Sequence, residues 1–156
     1  MQHVRIMFVC HGNICRSPMA EFIMRDMLTR EGLSHRVTVA SSATSTEEIW
    51  NGVGNPVYPP ARDELARHGI RCDGKRAVQL TRGDYDRYDL FVGMDAANIR
   101  NMRSILGEDP DGKIRRMMPS GEDVSDPWYS RRFDVAYRDI HTGCEALLEI
   151  IKEMLS

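Results

Sequence analysis

Long apolar runs, closely spaced cysteines and lysines are all scarce in this chain, and each scarcity excludes something. No stretch is apolar for the length that a membrane span needs. The first residues, Met1-Gln2-His3-Val4-Arg5, lack the cationic start and cleavage site of a secretory signal, so a cytoplasmic location is expected. The four cysteines, Cys10, Cys15, Cys72 and Cys144, do not make a disulfide framework in a cytosolic chain of this size. Cys10 and Cys15 stand too far apart for a C-x-x-C zinc knuckle, and no second ligand pair follows, so no metal is expected. A net charge of only −2 gives no overall field toward nucleic acid. There is no repeat, no low-complexity tract and no linker that would split the chain.

What remains is a 156-residue chain, 42% hydrophobic and 28% charged, which fits one domain spanning residues 1–156. Its 21 basic residues comprise 18 Arg and 3 Lys. Arginine suits planar, two-pronged contacts to phosphate and carboxylate. Val4 to Val9 reads as a buried parallel strand bounded by loop signals. Ser17-Pro18 predicts a helix start, with Ser as cap and Pro in the first turn. Met19, Phe22, Ile23, Met27 and Leu28 then share one face, and Gly32 ends the helix. A second strand is expected over residues 37–40, followed by a polar loop over 41–56.

Pro59-Pro60 precede a helix over 61–68 that Gly69 stops. Thr81 and Asp84 form the pattern of a capping box for a short helix. A third strand is expected over 88–94, with Asp95 capping the helix after it, and a fourth over 113–118. Residues 119–132 read as a long loop. Residues 133–155 read as an amphipathic helix, with Val135, Ile140, Leu147, Leu148, Ile151 and Leu155 inward. Strands alternating with helices predict a parallel α/β sheet, whose ligands bind beyond the carboxyl ends of the strands. Cys10 lies at such an end.

The segment Cys10-His11-Gly12-Asn13-Ile14-Cys15-Arg16-Ser17-Pro18 contains a C-x5-R match. With this many cysteines and arginines, about half of one such match is expected by chance, so the spacing decides little. The context decides more. The match follows a strand and opens a helix, whose N-terminus offers free N–H groups and the positive end of a dipole. Gly12 and Asn13 are residue types that tolerate a positive φ, which lets a loop turn its amides onto an anion. In this reading Cys10 is a nucleophile, and the helix N-terminus and a nearby cation favour its thiolate. Arg16 grips phosphate oxygens with its fork. Ser17 donates a hydrogen bond to the Cys10 sulfur, and Asn13 holds the loop by side-chain bonds. Cys15 is either inert packing or a partner that traps an oxidised Cys10 as a disulfide. Cys144, in an apolar helix, reads as a small core residue.

Asp126-Pro127-Trp128-Tyr129 lies in the long late loop. A carboxylic acid at the mouth of a phosphate loop can protonate a leaving oxygen, and Trp128 and Tyr129 can line a slot for a phenyl ring. Asp-Pro is also a common turn starter, which is the simpler reading of these residues alone. Asp109-Pro110, in a Gly- and Asp-rich turn without aromatics, reads as structural, as do Asp123 and Asp95.

The strand followed by Cys-His-Gly-Asn-Ile-Cys-Arg-Ser-Pro-Met-Ala-Glu resembles the N-terminal signature of the low-molecular-weight protein tyrosine phosphatases. Ser41-Ser42-Ala43, His68-Gly69-Ile70, Met94-Asp95 and Asp126-Pro127-Trp128-Tyr129 match in the same order, so the resemblance spans nearly the whole chain. It implies a three-layer α/β sandwich with a central four-stranded parallel sheet in the order 2-1-3-4 and helices on both faces. It implies a cofactor-free hydrolase of phosphotyrosine with Cys10 as nucleophile, Arg16 as clamp and Asp126 as general acid and then base. A thiolate working with a protonated acid predicts a bell-shaped rate profile with a mildly acidic optimum. Residues 10–17 form the phosphate loop. Ser42 is placed to bond Asn13, and His11 and Trp50 to stand at the rim, although a solvent-facing His is an equally simple reading and a loop Trp packed on the body is the simpler one.

Relatives carry a His near the position of Lys75 that braces the loop, so Gly74-Lys75-Arg76 is a departure. Tyr129 matches tyrosines that are themselves phosphorylated in some relatives. The expected partners are a phosphotyrosine protein and inorganic phosphate, with no nucleic acid or membrane, and a monomer with at most weak self-association through the aromatic rim. Three related chemistries fit less well. Arsenate reduction needs two further cysteines close together, whereas Cys72 and Cys144 are far apart. A protein-arginine phosphatase of the same family carries a polar residue where Ile14 stands. A sugar-transport phosphocarrier has to keep its phosphocysteine, which Arg16 and Asp126 oppose.

Overall fold

The structure is a computed structural model that describes residues 1–156. It contains strands β1 (Val4–Cys10), β2 (Val37–Ala43), β3 (Ile49–Trp50), β4 (Val53–Gly54), β5 (Leu90–Gly93) and β6 (Ile114–Arg116). Its helices are α1 (Arg16–Arg30), α2 (Pro59–Arg67), α3 (Asp84–Arg87), α4 (Ala96–Leu106), α5 (Pro127–Ser130) and α6 (Phe133–Leu155).

Strand β1 is buried at every position except Arg5, because both of its faces are covered. Val4, Ile6, Phe8 and Cys10 pack toward α1 and α6 in the larger core, while Met7 and Val9 pack toward α4 with Phe91, Met102 and Leu106. β1 pairs in parallel with β2 and β5, and β5 with β6, giving a four-stranded sheet in the order β2-β1-β5-β6. Counted over the strands of this sheet alone, that is the expected 2-1-3-4. Helix α4 lies close on its strand: a Cβ at Gly93 would stand 2.6 Å from Met102 Cε.

Local chemistry explains most element ends. Helix α1 closes with Gly32 at φ 70°, where the N–H of Leu33 bonds Leu28 O and that of Gly32 bonds Thr29 O, the paired bonds of a Schellman turn. Asp95 caps α4 through a full capping box with Asn98. The 23-residue helix α6 begins and ends where the sequence pattern does.

Four expectations need correction. The expected loop over 41–56 is partly strand: Ser41 to Ala43 extend β2 along β1, and β3 and β4 form a hairpin around Asn51 (φ 51°) and Gly52 (φ 76°). Asn-Gly between extended segments is a hairpin signal in its own right. The cap of α1 is Cys15, with no side-chain capping bond, since the Ser17 hydroxyl is used by the site below. At α3 only half of the box forms: Asp84 Oδ2 accepts from the Thr81 N–H, while the cap position is Gly83. The late loop contains the one-turn helix α5, capped by Asp126 through the N–H of Trp128.

Candidate active site

The chain turns out of β1 at Cys10 and enters α1 at Arg16, and the five intervening residues form an open ring of backbone. Four carbonyls along it are held by backbone N–H groups outside the ring. Cys10 O accepts from Thr44 N, His11 O from Ser45 N, Ile14 O from Tyr58 N and Cys15 O from Met19 N, at 2.9 to 3.1 Å. The N–H groups of Gly12, Ile14, Cys15 and Arg16 have no acceptor within the protein. A loop with its carbonyls tied outward and its amides free is a cradle for an anion. Asn13 adopts φ 59° to make the turn, a conformation that Asn tolerates better than most residues. Gly12, expected to share that role, has an ordinary φ. Space is tight at this position, where a Cβ would come within 3.2 Å of Glu48 Cγ.

Cys10 Sγ sits at the start of this ring, 3.0 Å from Ser17 Oγ and 3.3 Å from the Asn13 nitrogen, whose N–H points at it. The direction of the Ser17 bond follows from its neighbours. Asn13 Nδ2 donates both to Ser17 Oγ (2.8 Å) and to Ser41 Oγ (2.9 Å), which leaves each hydroxyl free to donate onward. Ser41 donates to Glu21 Oε1 at 2.6 Å, and Ser17 is left to donate to the sulfur. Asn13 Oδ1 accepts from the Val78 N–H at 3.0 Å, so every polar atom of this buried side chain is used.

The partner of Asn13 is therefore Ser41. Ser42, expected in that role, has a buried hydroxyl with no partner. Neighbouring residues of a strand point to opposite faces, and only the register of β2 on β1 decides which serine faces the loop. Behind Ser41 stands a buried charged group that the sequence pattern does not reveal. Glu21 is 3% exposed, pairs with Arg25 at 2.6 Å and has Lys75 Nζ at 3.6 Å. Lys75 Nζ also donates to Ser41 O at 2.9 Å. The departure at Lys75 thus still supplies a brace, now through Ser41 and Glu21. Burial lowers the Lys75 ammonium from its usual range, and the Glu21 carboxylate partly offsets this.

Arg16 closes the other end of the loop at 3% exposure. Its Nη1 donates to Val124 O at 2.7 Å, and its Nη2 lies 2.9 Å from Asp95 Oδ2 and 3.6 Å from Asp126 Oδ2. Asp95, expected only as a helix cap, thus also holds the guanidinium. Two of the five N–H groups are committed to the protein from behind. Asp123 accepts from Ala96 N and pairs with Arg116, a structural role.

Cys10, the ring and Arg16 line a cleft of about 290 Å³ together with Glu47, Glu48, Asp126, Trp128 and Tyr129. The structure thus brings one loop from the start of the chain and one from near its end around the same space. Trp128 leans on Tyr58 with ring centroids 4.9 Å apart, and Tyr129 is 83% exposed. His11 Nε2 lies 2.9 Å from Glu47 Oε2 at the rim. Trp50 is 80% exposed on the β3–β4 hairpin and lies outside the cleft lining. Cys15 lines the cleft as a buried thiol, pushed up to about 12 by burial and by the Cys10 and Asp126 charges, with a smaller contribution from Glu48. Asp109 serves structure: its carboxylate accepts from Tyr85 Oη (2.6 Å), Lys113 N (2.7 Å) and Ile114 N (3.0 Å). No helix is long and apolar enough to cross a membrane.

A family profile described as low molecular weight phosphotyrosine protein phosphatase matches residues 5–156. The chain is 38% identical over 155 residues to the low molecular weight protein-tyrosine-phosphatase YfkJ of Bacillus subtilis, covering 96% of this chain and 97% of that protein. The crystal structure of YfkJ superposes with a TM-score of 0.91 at 36% identity, covering 99% and 98% of the two chains. The rat low molecular weight phosphotyrosine protein phosphatase is 34% identical over 152 residues, 92% of this chain and 93% of its own. The Streptococcus pyogenes low molecular weight protein tyrosine phosphatase superposes with a TM-score of 0.83 at 35% identity, covering 94% of this chain and 91% of that one.

Proposed function

The chain belongs to the low molecular weight phosphotyrosine protein phosphatase family, and on that premise we propose that it hydrolyses phosphotyrosine in proteins through a phosphocysteine formed on Cys10. The observation that carries the reading is the convergence on the Cys10 sulfur. The Asn13 N–H, the Ser17 hydroxyl and the start of α1 all present positive charge to it.

In the first step Cys10 Sγ attacks phosphorus opposite the tyrosyl oxygen. The S–P bond forms as the P–O bond to the ring breaks, and Asp126 passes its proton to the departing oxygen. The free amides of the ring and the uncommitted N–H groups of Arg16 hold the three equatorial oxygens, whose charge grows toward the transition state. In the second step water attacks phosphorus and gives a proton to Asp126, and the S–P bond breaks to release phosphate. The Ser17 hydroxyl stabilises the departing thiolate. Phe133, Tyr58 and Trp128 form a continuous aromatic support beneath the Asp126 loop. Ile14, half-buried in the cleft lining, offers an apolar contact to a substrate ring, which supports an aryl ester over a guanidino phosphate. The catalytic unit is the whole chain, since its sheet and both core layers draw on residues from Val4 to Leu155. We further place it in the cytoplasm, acting as a monomer.

The test is hydrolysis of p-nitrophenyl phosphate in metal-free, reducing buffer. Wild type turns it over, Cys10→Ser abolishes turnover, and Asp126→Ala slows it by about 10² to 10⁴. Activity that survives Cys10→Ser refutes the proposal. Phosphotyrosine and phosphoarginine peptides then distinguish the two substrate classes.

A further inference from the structure

The cleft that receives a phosphate dianion is lined by three carboxylates, Glu47, Glu48 and Asp126, against one guanidinium, Arg16. Sites for anions ordinarily gather positive potential at the mouth, so this excess needs a reason. Asp126 has one as the acid. Glu48 is partly explained by structure: Asn55 Nδ2 donates to its Oε2 at 2.8 Å, and its stem packs over Gly12. Glu47 has no such duty. Its side chain is 65% exposed, and its one partner is the His11 ring at the rim. The imidazole offsets the carboxylate charge only when it is protonated, so the comparison below is made at a pH above the ordinary histidine range.

Against a free phosphate this charge is a liability. Against a phosphate with a cation beside it, the same charge becomes a contact. Trp128 and Tyr129 line the same cleft and are 47% and 83% exposed, and aromatic rings attract ammonium and guanidinium groups. We infer that Glu47, supported by Glu48, selects substrates in which the phosphotyrosine is flanked by lysine or arginine. The inference rests on the phosphatase reading above and deepens it by naming the substrate class.

The experiment compares phosphotyrosine peptides that differ only in having lysine, glutamine or glutamate on either side of the phosphotyrosine. p-Nitrophenyl phosphate serves as the substrate with no flanking charge. For wild type, kcat/KM for the lysine peptide exceeds that for the glutamate peptide by roughly threefold to tenfold, and the ratio shrinks as salt is raised. Glu47→Gln reduces that ratio, and Glu47→Lys inverts it. The two kinds of substrate also move in opposite directions. In Glu47→Gln, kcat/KM falls for the lysine peptide and rises for p-nitrophenyl phosphate, because the repulsion of its phosphate is relieved. A merely structural role for Glu47 lowers both together, and that result overturns the inference. Equal kcat/KM for the three peptides in wild type also overturns it, while leaving the phosphatase reading intact. A wild type that hydrolyses none of these substrates sinks the phosphatase reading, and this inference with it.

Discussion

Replacing Asn13 by glycine and, separately, by alanine separates the two things this residue does. Its buried side chain makes three hydrogen bonds, to Ser17 Oγ, Ser41 Oγ and the Val78 N–H, and its backbone sits at φ 59°. Glycine keeps the backbone conformation and loses the bonds. At about 1 kcal/mol each, the loss is roughly 3 kcal/mol. Alanine loses the same bonds and adds about 1–2 kcal/mol for holding a Cβ in the left-handed region. The alanine variant is therefore expected to be the less stable of the two, the reverse of their order in a helix. Urea melts with matched slopes measure both differences.

The same variants test the chemistry. Without Asn13 Nδ2 the Ser17 hydroxyl is no longer committed to donating to Cys10 Sγ. The turnover of p-nitrophenyl phosphate is expected to drop by about tenfold to a hundredfold, or roughly 1.4–2.8 kcal/mol in the barrier. A glycine variant within about 0.5 kcal/mol of wild type would show that the hydrogen-bond network carries no stability. An alanine variant as stable as the glycine variant would remove the backbone half of the argument.

Asp109 links stability to acid. Burial alone would raise its carboxyl, but hydrogen bonds from Tyr85, Ile114 and Lys113 outweigh this and hold it below the usual range. A lowered carboxyl contributes stability that is present above the ordinary carboxylate range and is lost as pH falls through the lowered value. Asp109→Asn is thus expected to be less stable than wild type at neutral pH, with the gap narrowing in strong acid; a gap that widens in acid contradicts the assignment. Burial raises the thiols of Cys15, Cys72 and Cys144, so iodoacetamide at neutral pH is expected to label Cys10 first, with inorganic phosphate slowing the reaction. Peptide mapping that finds Cys72 or Cys144 labelled ahead of Cys10 refutes this.

The features most legible in the sequence were those set by local chemistry. The apolar run before Cys10, the loop residues and the helix after it state the phosphate site without reference to the rest of the chain. The periodicity of the last helix fixes both of its ends. What stayed hidden depends on contacts between distant segments. Glu21, between Ala20 and Phe22, looks like a solvated helix residue, and its burial becomes tolerable only when Lys75 and Arg25 flank it. The choice between Ser41 and Ser42 depends on register, since a slip of one residue exchanges them. Ser17 before Pro18 carries the signature of a helix cap, and the cysteine seven residues earlier takes its hydroxyl instead. The Asn51-Gly52 turn was the exception, a local signal present in the sequence and masked by the polar residues around it.

The seating of Arg16 on Val124 O and Asp95 has a consequence for the order in which the protein comes into being. A chain emerging from the ribosome presents Cys10 and Arg16 first, yet the groups that fix the guanidinium come roughly 80 and 108 residues later, and Asp126 comes later still. At a synthesis rate of about 5–20 residues per second, the nucleophile and its clamp exist for several seconds before the groups that seat the guanidinium and before the acid. An incomplete chain therefore carries a thiol and no working site, and catalytic competence arrives only as translation nears its end.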